Sequence, residues 1–192
     1  MNDAQAIWRC TCGAVAARVA PVKGTRCICY CRDCQAFLAH LGRHEVADEA
    51  GGTDLFQTMP HQVTFTKGAE NLAALRLSDK GPLRWYTTCC NTPVANTGAS
   101  RTLPLASMPV AFFEDAAPIG PVVARVNRKG AKGHVAGEAG SVRRLIAAFL
   151  GRAALTLVTG RYRSTPFFEA SGAPVAEPKR LTAEERAKAY GG

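Results

Sequence analysis

The segment Cys29-Tyr30-Cys31-Arg32-Asp33-Cys34-Gln35 places three thiols within six residues, in a C-x-C-x-x-C pattern. A disulfide between any two of these cysteines would close a loop too short for relaxed geometry. Thiolates are good ligands of Zn²⁺, and a C-x-x-C turn lets two sulfurs reach one ion. Because a tetrahedral ion needs a fourth ligand, the segment predicts a zinc site with one open position. Cys29, Cys31 and Cys34 are therefore the candidate catalytic thiolates.

The residues after this segment favour a short helix. We expect it over residues 36–41, with Asp33 as the N-cap and Gly42 just past its end. Cys34 would then lie in the first turn, where the helix dipole stabilises a thiolate. The alternative is three buried cysteines that bind no metal.

Composition indicates a globular protein. The chain has 192 residues, of which 47% are hydrophobic, and it contains eight cysteines. Residues 1–5 lack the basic start and apolar run of a signal peptide, and no apolar stretch is long enough to span a bilayer. We therefore expect a cytoplasmic protein without a transmembrane segment, whose cysteines bind metal rather than form disulfides.

The net charge of +9 admits nucleic acid, anionic lipid or an acidic small molecule as a partner. The densest basic cluster lies in a glycine-rich segment without aromatic residues. It consists of Arg125, Arg128, Lys129 and Lys132. Two interpretations stay open at this point, a solvated loop and a nucleic-acid patch. The oligomeric state is not indicated by the sequence.

A second set of thiols is split between the two ends of a β-rich region. Cys10 and Cys12 form a C-x-C-G pair, and Cys89 and Cys90 follow a predicted strand. These four residues together predict a closed, structural four-thiolate site that ties distant parts of the chain together. Cys27 remains open to two interpretations, an additional ligand or a small buried side chain.

Period-two alternation and regularly spaced turn residues predict a mainly β fold. We expect strands at residues 14–19 and 26–30. An antiparallel meander follows, with strands at 53–58, 61–66, 72–77 and 83–88. Residues 103–113 contain two prolines and are expected to be irregular or an edge strand, and residues 118–140 are expected to form a long loop.

The C-terminal part predicts two helices. Ser141 is a good N-cap for a helix through residues 142–150 and on to 158, and Thr182 with Glu185 forms a capping box. The apolar face of the first helix would cover its own sheet, a membrane surface or another subunit. We therefore divide the chain into a zinc-binding domain, residues 1–117, and a basic, helical extension, residues 118–192, packed on the same domain.

The ordered set of three motifs, C-x-C-G, C-x-C-x-x-C-Q and C-N-T-P, resembles the glutathione-dependent formaldehyde-activating enzymes and the related centromere-protein-V-like proteins, in an uncharacterised bacterial branch. This resemblance implies a β-tent fold of packed antiparallel sheets over residues 7–115. It implies a structural zinc at Cys10, Cys12 and Cys90, and a substrate-facing zinc at the three clustered thiols. Thr87 stands where that family has a cysteine, so Cys89 is the candidate replacement ligand.

The ligand set favours one class of chemistry. Three thiolates leave a zinc centre negatively charged, which makes water activation weak and coordination of an external thiol favourable. We therefore expect a zinc-dependent carbon–sulfur lyase that acts on an adduct of glutathione or another thiol, with Arg32 binding substrate carboxylates. The alternative is a non-catalytic, zinc-stabilised module that binds nucleic acid or an acidic protein.

Overall fold

Two β-sheets form most of the molecule. In the computed structural model, which describes residues 4–191, the chain has eleven strands and three α-helices. The strands are β1 Ala6–Arg9, β2 Ala16–Val19, β3 Thr25–Cys29, β4 Thr53–Thr58, β5 Val63–Lys67, β6 Leu72–Arg76, β7 Leu83–Thr87, β8 Pro93–Thr97, β9 Ala106–Pro109, β10 Val122–Val126 and β11 Lys179–Arg180. The mainly β prediction is confirmed. Residues 1–3 and residue 192 lie outside the described residues. The prediction that the chain has no signal peptide was based in part on residues 1–3.

The strand order corrects the predicted meander. The small sheet has the order β1-β2-β5, and the large sheet has the order β10-β3-β4-β9-β8-β7-β6-β11. A 3₁₀ turn at Pro60–Gln62 sends β5 to the small sheet, so β4 and β5 are not neighbours. Two pairings, β10 with β3 and β11 with β6, are parallel because these strands arrive through long connections. The sheets are therefore not purely antiparallel.

Two C-terminal predictions about strands are wrong. β9 is not at an edge: it is fully buried between β4 and β8, and its proline at position 109 stands at its last residue, where the sheet tolerates a missing N–H group. β10 lies within the predicted loop and pairs with β3. The strand was not predicted because Arg125 and the glycines nearby in the sequence make the alternation of Val122, Ala124 and Val126 hard to recognise.

The main hydrophobic core is rich in aromatic residues. Trp8 and Trp85 are fully buried, and Phe167 and Phe168 from the C-terminal part of the chain pack into the same cluster. The rings of Trp85 and Phe167 lie 5.2 Å apart. Residues beyond 118 therefore contribute directly to the core that supports the large sheet.

Each helix begins or ends at a residue with a clear physical role. α1 covers Arg32–Leu41 and ends at Gly42, which adopts a left-handed conformation with φ of 69°. α2 covers Val142–Val158, and the Ser141 side chain accepts a hydrogen bond from the backbone N–H of Arg144, so its predicted cap is confirmed. α3 covers Ala183–Gly191 and has the predicted capping box between Thr182 and Glu185.

α2 packs against β10 and β3, and α3 packs against α1. No helix among residues 4–191 is both long enough and apolar enough to cross a bilayer.

Candidate metal centres

The first sulfur cluster forms where β3 ends and α1 begins. Cys29 is the last residue of β3, Cys31 caps α1, and Cys34 lies in its first turn. The ligand atoms of these three residues all lie within 4.8 Å of one another. The prediction that Asp33 is the N-cap is wrong, because the Cys31 sulfur accepts the hydrogen bond from the backbone N–H of Cys34, at 3.4 Å. Asp33 instead accepts a hydrogen bond from the hydroxyl of Tyr190, at 2.8 Å.

Neighbouring loops hold this turn in place. The side-chain amide of Gln35 donates to the carbonyl of Tyr30 at 3.0 Å and to that of Gly130 at 2.8 Å. A Cβ atom at Gly130 would lie 2.3 Å from the Tyr30 carbonyl oxygen, so only glycine allows this close approach. The Tyr30 hydroxyl donates to Asp48 at 2.9 Å. The thiols are therefore positioned by contacts from three separate segments.

Two side chains place N–H groups against the sulfurs. The Asn127 amide donates to Cys29 Sγ at 3.3 Å, and the Arg84 guanidinium lies 3.9 Å from Cys34 Sγ. Hydrogen bonds from Cys31, then from Cys34 and Asn127, lower the pKa of the Cys29 thiol, although burial acts in the opposite direction. The cluster therefore favours at least one thiolate.

Arg84 is a buried cation at this site. Its side chain is only 3% exposed, and it donates to Asn96 at 3.0 Å. It also lies 3.7 Å from the carboxylate of Asp33, while its Nε has no hydrogen-bond partner among the described residues. A buried guanidinium beside thiolates offsets part of their negative charge.

An open cleft of about 440 Å³ borders the three thiols. Its wall includes polar side chains from β4, β7, β8, β9 and the adjoining loops, namely Gln57, Lys80, Arg84, Asn96, Ser107 and Asn127. Cys27 also lines the cleft, but it is not a member of the sulfur cluster. Burial raises the pKa of Cys27 to about 12, so this residue is a neutral thiol.

Arg32, the residue we expected to bind carboxylates, points elsewhere. It is exposed, lies 5.9 Å from the ring centroid of Tyr190, and lines a separate cavity that shares no residue with the cleft. Sequence reasoning missed Arg84 and Asn127 as neighbours of the thiols. The only signal for Arg84 was an arginine between the large apolar residues Leu83 and Trp85 of a predicted strand.

The second sulfur cluster joins two distant turns. Cys10 and Cys12 lie in the turn after β1, and Cys89 and Cys90 lie in the turn between β7 and β8. Sulfur–sulfur distances are 3.6 Å for Cys10–Cys12, 3.9 Å for Cys10–Cys89, 3.4 Å for Cys12–Cys89 and 3.7 Å for Cys89–Cys90. Four sulfurs at about 2.3 Å from one zinc would be about 3.8 Å apart. The four residues therefore fit a closed zinc site.

Local structure explains how two adjacent cysteines reach one centre. Asn91 adopts φ of 53°, a left-handed conformation that asparagine tolerates well, and this tightens the turn. Burial alone would raise the pKa of Cys90, but hydrogen bonds from Thr87, Thr92 and Thr11 outweigh it and lower that pKa to about 4. The Arg43 guanidinium donates to the Cys90 carbonyl and, at 2.6 Å, to Thr11. Arg43 thus connects this centre to the end of α1.

A family model matches residues 4–179 of this sequence, and its description is "Family of unknown function (DUF6151)". The chain belongs to this family. The resemblance to the formaldehyde-activating enzymes and centromere-protein-V-like proteins is therefore wrong as a family assignment, because the model that covers most of the chain is that of DUF6151. Short cysteine motifs reflect the geometry that a thiolate site requires, so they recur without common membership.

Neither curated proteins nor solved structures indicate a function for this chain. No curated protein matches this chain. A crystal structure of a Rhodobacter sphaeroides protein is similar over 60% of this chain and 96% of that chain, with 20% identity and a TM-score of 0.40. At this level of similarity we transfer neither fold nor function from it.

Proposed function

We propose that the protein binds two zinc ions and that the centre formed by Cys29, Cys31 and Cys34 binds a small-molecule thiol from the cleft. The observation that carries this proposal is the contrast between the two clusters. One has four converging sulfurs, whereas the other has three that border an open cleft. An incomplete ligand set beside a cleft is the arrangement of a site that accepts an exogenous ligand.

The surrounding residues suit a sulfur anion. When bound, zinc would supply positive charge that lowers the pKa of a coordinated thiol. Arg84 and Asn127 already direct N–H groups at the cluster, and Lys80 adds a cation to the cleft wall. These groups would offset the negative charge that accumulates when a fourth thiolate joins the other three.

A reaction class compatible with a zinc-held thiol is reversible cleavage of its adduct with a small electrophile such as a carbonyl compound. The C–S bond of the adduct breaks and its electron pair remains on sulfur as a thiolate. The hydroxyl proton of the adduct passes to water as the carbonyl forms, and the reverse reaction adds the thiolate to the carbonyl carbon. Arg84 and Asn127, which donate to Cys34 and Cys29, would offset the charge of the thiolate cluster as the substrate sulfur joins it.

The alternative of a nucleic-acid-binding module gains no specific support from the basic segment. Arg125 donates to the backbone carbonyl of Glu138 at 2.7 Å, and Asn127 contacts Cys29. Gly130 packs against the thiol-bearing turn. Part of the segment thus supports the folded site, while Arg128, Lys129 and Lys132 are exposed on the surface without interleaved aromatic residues.

A thiol-binding titration tests the proposal. Zinc-loaded protein should bind glutathione, and the Cys31→Ser variant should bind it at least tenfold more weakly. S-methylglutathione keeps the charges of the peptide but cannot form a thiolate, so it should not bind at this centre. Equal binding of glutathione and its S-methyl derivative would contradict the proposal, and so would unchanged binding by Cys31→Ser.

A further inference from the structure

The outer face of α2 is apolar although it is exposed. Ile146 is 51% exposed, Leu150 57%, Leu155 59% and Val158 87%. At 100° per residue, Ile146, Leu150 and Val158 lie on the half of the helix away from Leu145, which is buried against the sheet. Leu155 lies at the edge of that half. A helix that is hydrophobic on all sides is normally covered on all sides.

The charge of this segment is entirely positive. Residues 139–168 contain five arginines and no aspartate or glutamate. Arg152 turns inward and donates to Thr25 at 3.0 Å. The other four are exposed and lie at the two ends of the helix, namely Arg143, Arg144, Arg161 and Arg163. The apolar face is thus flanked by cations, and the nearest acidic residues in the sequence are Glu138 and Glu169, just outside this segment.

This charge pattern disfavours a second copy of the chain as the partner. In an antiparallel pair of α2 helices, the arginines at one end would meet those at the other end. In a parallel pair, the arginines at each end would face the same arginines of the partner helix. Like charges in contact are repulsive. An anionic lipid surface supplies phosphates for the arginines and acyl chains for the leucines.

We propose that α2 docks the protein on the surface of an anionic membrane. The helix is about 25 Å long and would lie in the plane of the interface. Its inner face stays on β10 and β3, so docking needs no unfolding. This proposal goes beyond the thiol chemistry and does not depend on either metal centre.

Vesicle flotation with the zinc-loaded full chain tests this docking. We expect binding to vesicles that contain phosphatidylglycerol, and at least tenfold weaker binding to vesicles of phosphatidylcholine alone. Leu150→Glu should weaken binding by roughly tenfold to a hundredfold, because one apolar anchor is lost and a negative charge is added. Val175→Glu is the matched control, since Val175 is 43% exposed and lies outside α2. It should change binding less than twofold.

Several results would overturn the proposal. One is absence of binding to phosphatidylglycerol vesicles. Another is equal binding by the Leu150→Glu variant, which would reduce the effect to general basic charge. Self-association in sedimentation that Leu150→Glu abolishes would assign the face to a second copy instead. Urea denaturation of both glutamate variants, with unchanged midpoints expected because both positions are exposed, separates a loss of docking from a loss of fold.

Discussion

The two sulfur clusters should differ in how much they stabilise the fold, because they close chain segments of very different length. Cys10 and Cys89 are 79 residues apart in the sequence, whereas Cys29 and Cys34 are five apart. By the chain-entropy relation for cross-links, constraining the longer loop stabilises the folded state by about 4.5 kcal/mol, against about 2 kcal/mol for the shorter one. The larger number of ligands in the cluster of Cys10, Cys12, Cys89 and Cys90 acts in the same direction.

Two variants, Cys12→Ser and Cys31→Ser, each replace one sulfur ligand by oxygen in one of the two clusters. Cys12 is exposed, so its replacement removes little packing. Serine at position 31 can still cap α1, so the second variant isolates the effect of the metal.

We expect each variant to lose one zinc. In urea denaturation, the free energy of unfolding of Cys12→Ser should fall by about 2.5 kcal/mol more than that of Cys31→Ser. This difference corresponds to a melting temperature roughly 5–10 °C lower. Equal losses of stability, or a larger loss for Cys31→Ser, would refute the reasoning.

Three further substitutions test individual contacts. Arg84→Met removes the donor to Asn96 and the cation beside the thiols, so the free energy of unfolding should fall by about 1–3 kcal/mol and glutathione should bind more weakly; calorimetric titration that shows unchanged affinity would contradict this role. Gly151→Ala should raise the free energy of unfolding by about 0.5–1 kcal/mol, because the new Cβ meets no atom within 4 Å in the middle of α2. A lower urea midpoint for that variant would show the site to be constrained. Gly130→Ala should weaken thiol binding more than it changes zinc content, because its Cβ would displace the Tyr30 carbonyl; unaltered affinity would argue against that contact.

The local parts of both metal centres could be predicted from the sequence. Cysteine spacing brings sulfurs together wherever a turn is short, and Ser141 fixes the start of α2 through its own side chain. Asp33 shows where local reasoning fails. Its carboxylate satisfies the Tyr190 hydroxyl, a partner 157 positions away, and the nearer Cys31 sulfur takes over the cap.

The environment of the open centre depends on long-range pairing. Arg84 reaches Cys34 across 50 residues and Asn127 reaches Cys29 across 98. Asn127 leaves no local pattern and Arg84 leaves only that of a basic residue in a buried strand, because both contacts are set by how distant elements pack together. β10 pairs with β3, and this pairing alone places Asn127 beside the thiols.

The resemblance based on cysteine motifs failed for a related reason. Spacings such as C-x-C-x-x-C are imposed by the size of a tetrahedral thiolate centre, so they constrain the ion more than the ancestry. The DUF6151 family model matches residues 4–179, a far longer part of the chain than the cysteine motifs occupy.

Zinc X-ray absorption spectroscopy on the purified protein, with and without added glutathione, shows directly whether one zinc has an open position that a thiol fills. With four thiolates on one ion and three on the other, we expect about 3.5 sulfurs per zinc at about 2.3 Å before addition, and about 4 afterwards. Two zincs with four sulfurs each in the absence of added thiol would contradict this expectation, as would a sulfur count that glutathione leaves unchanged.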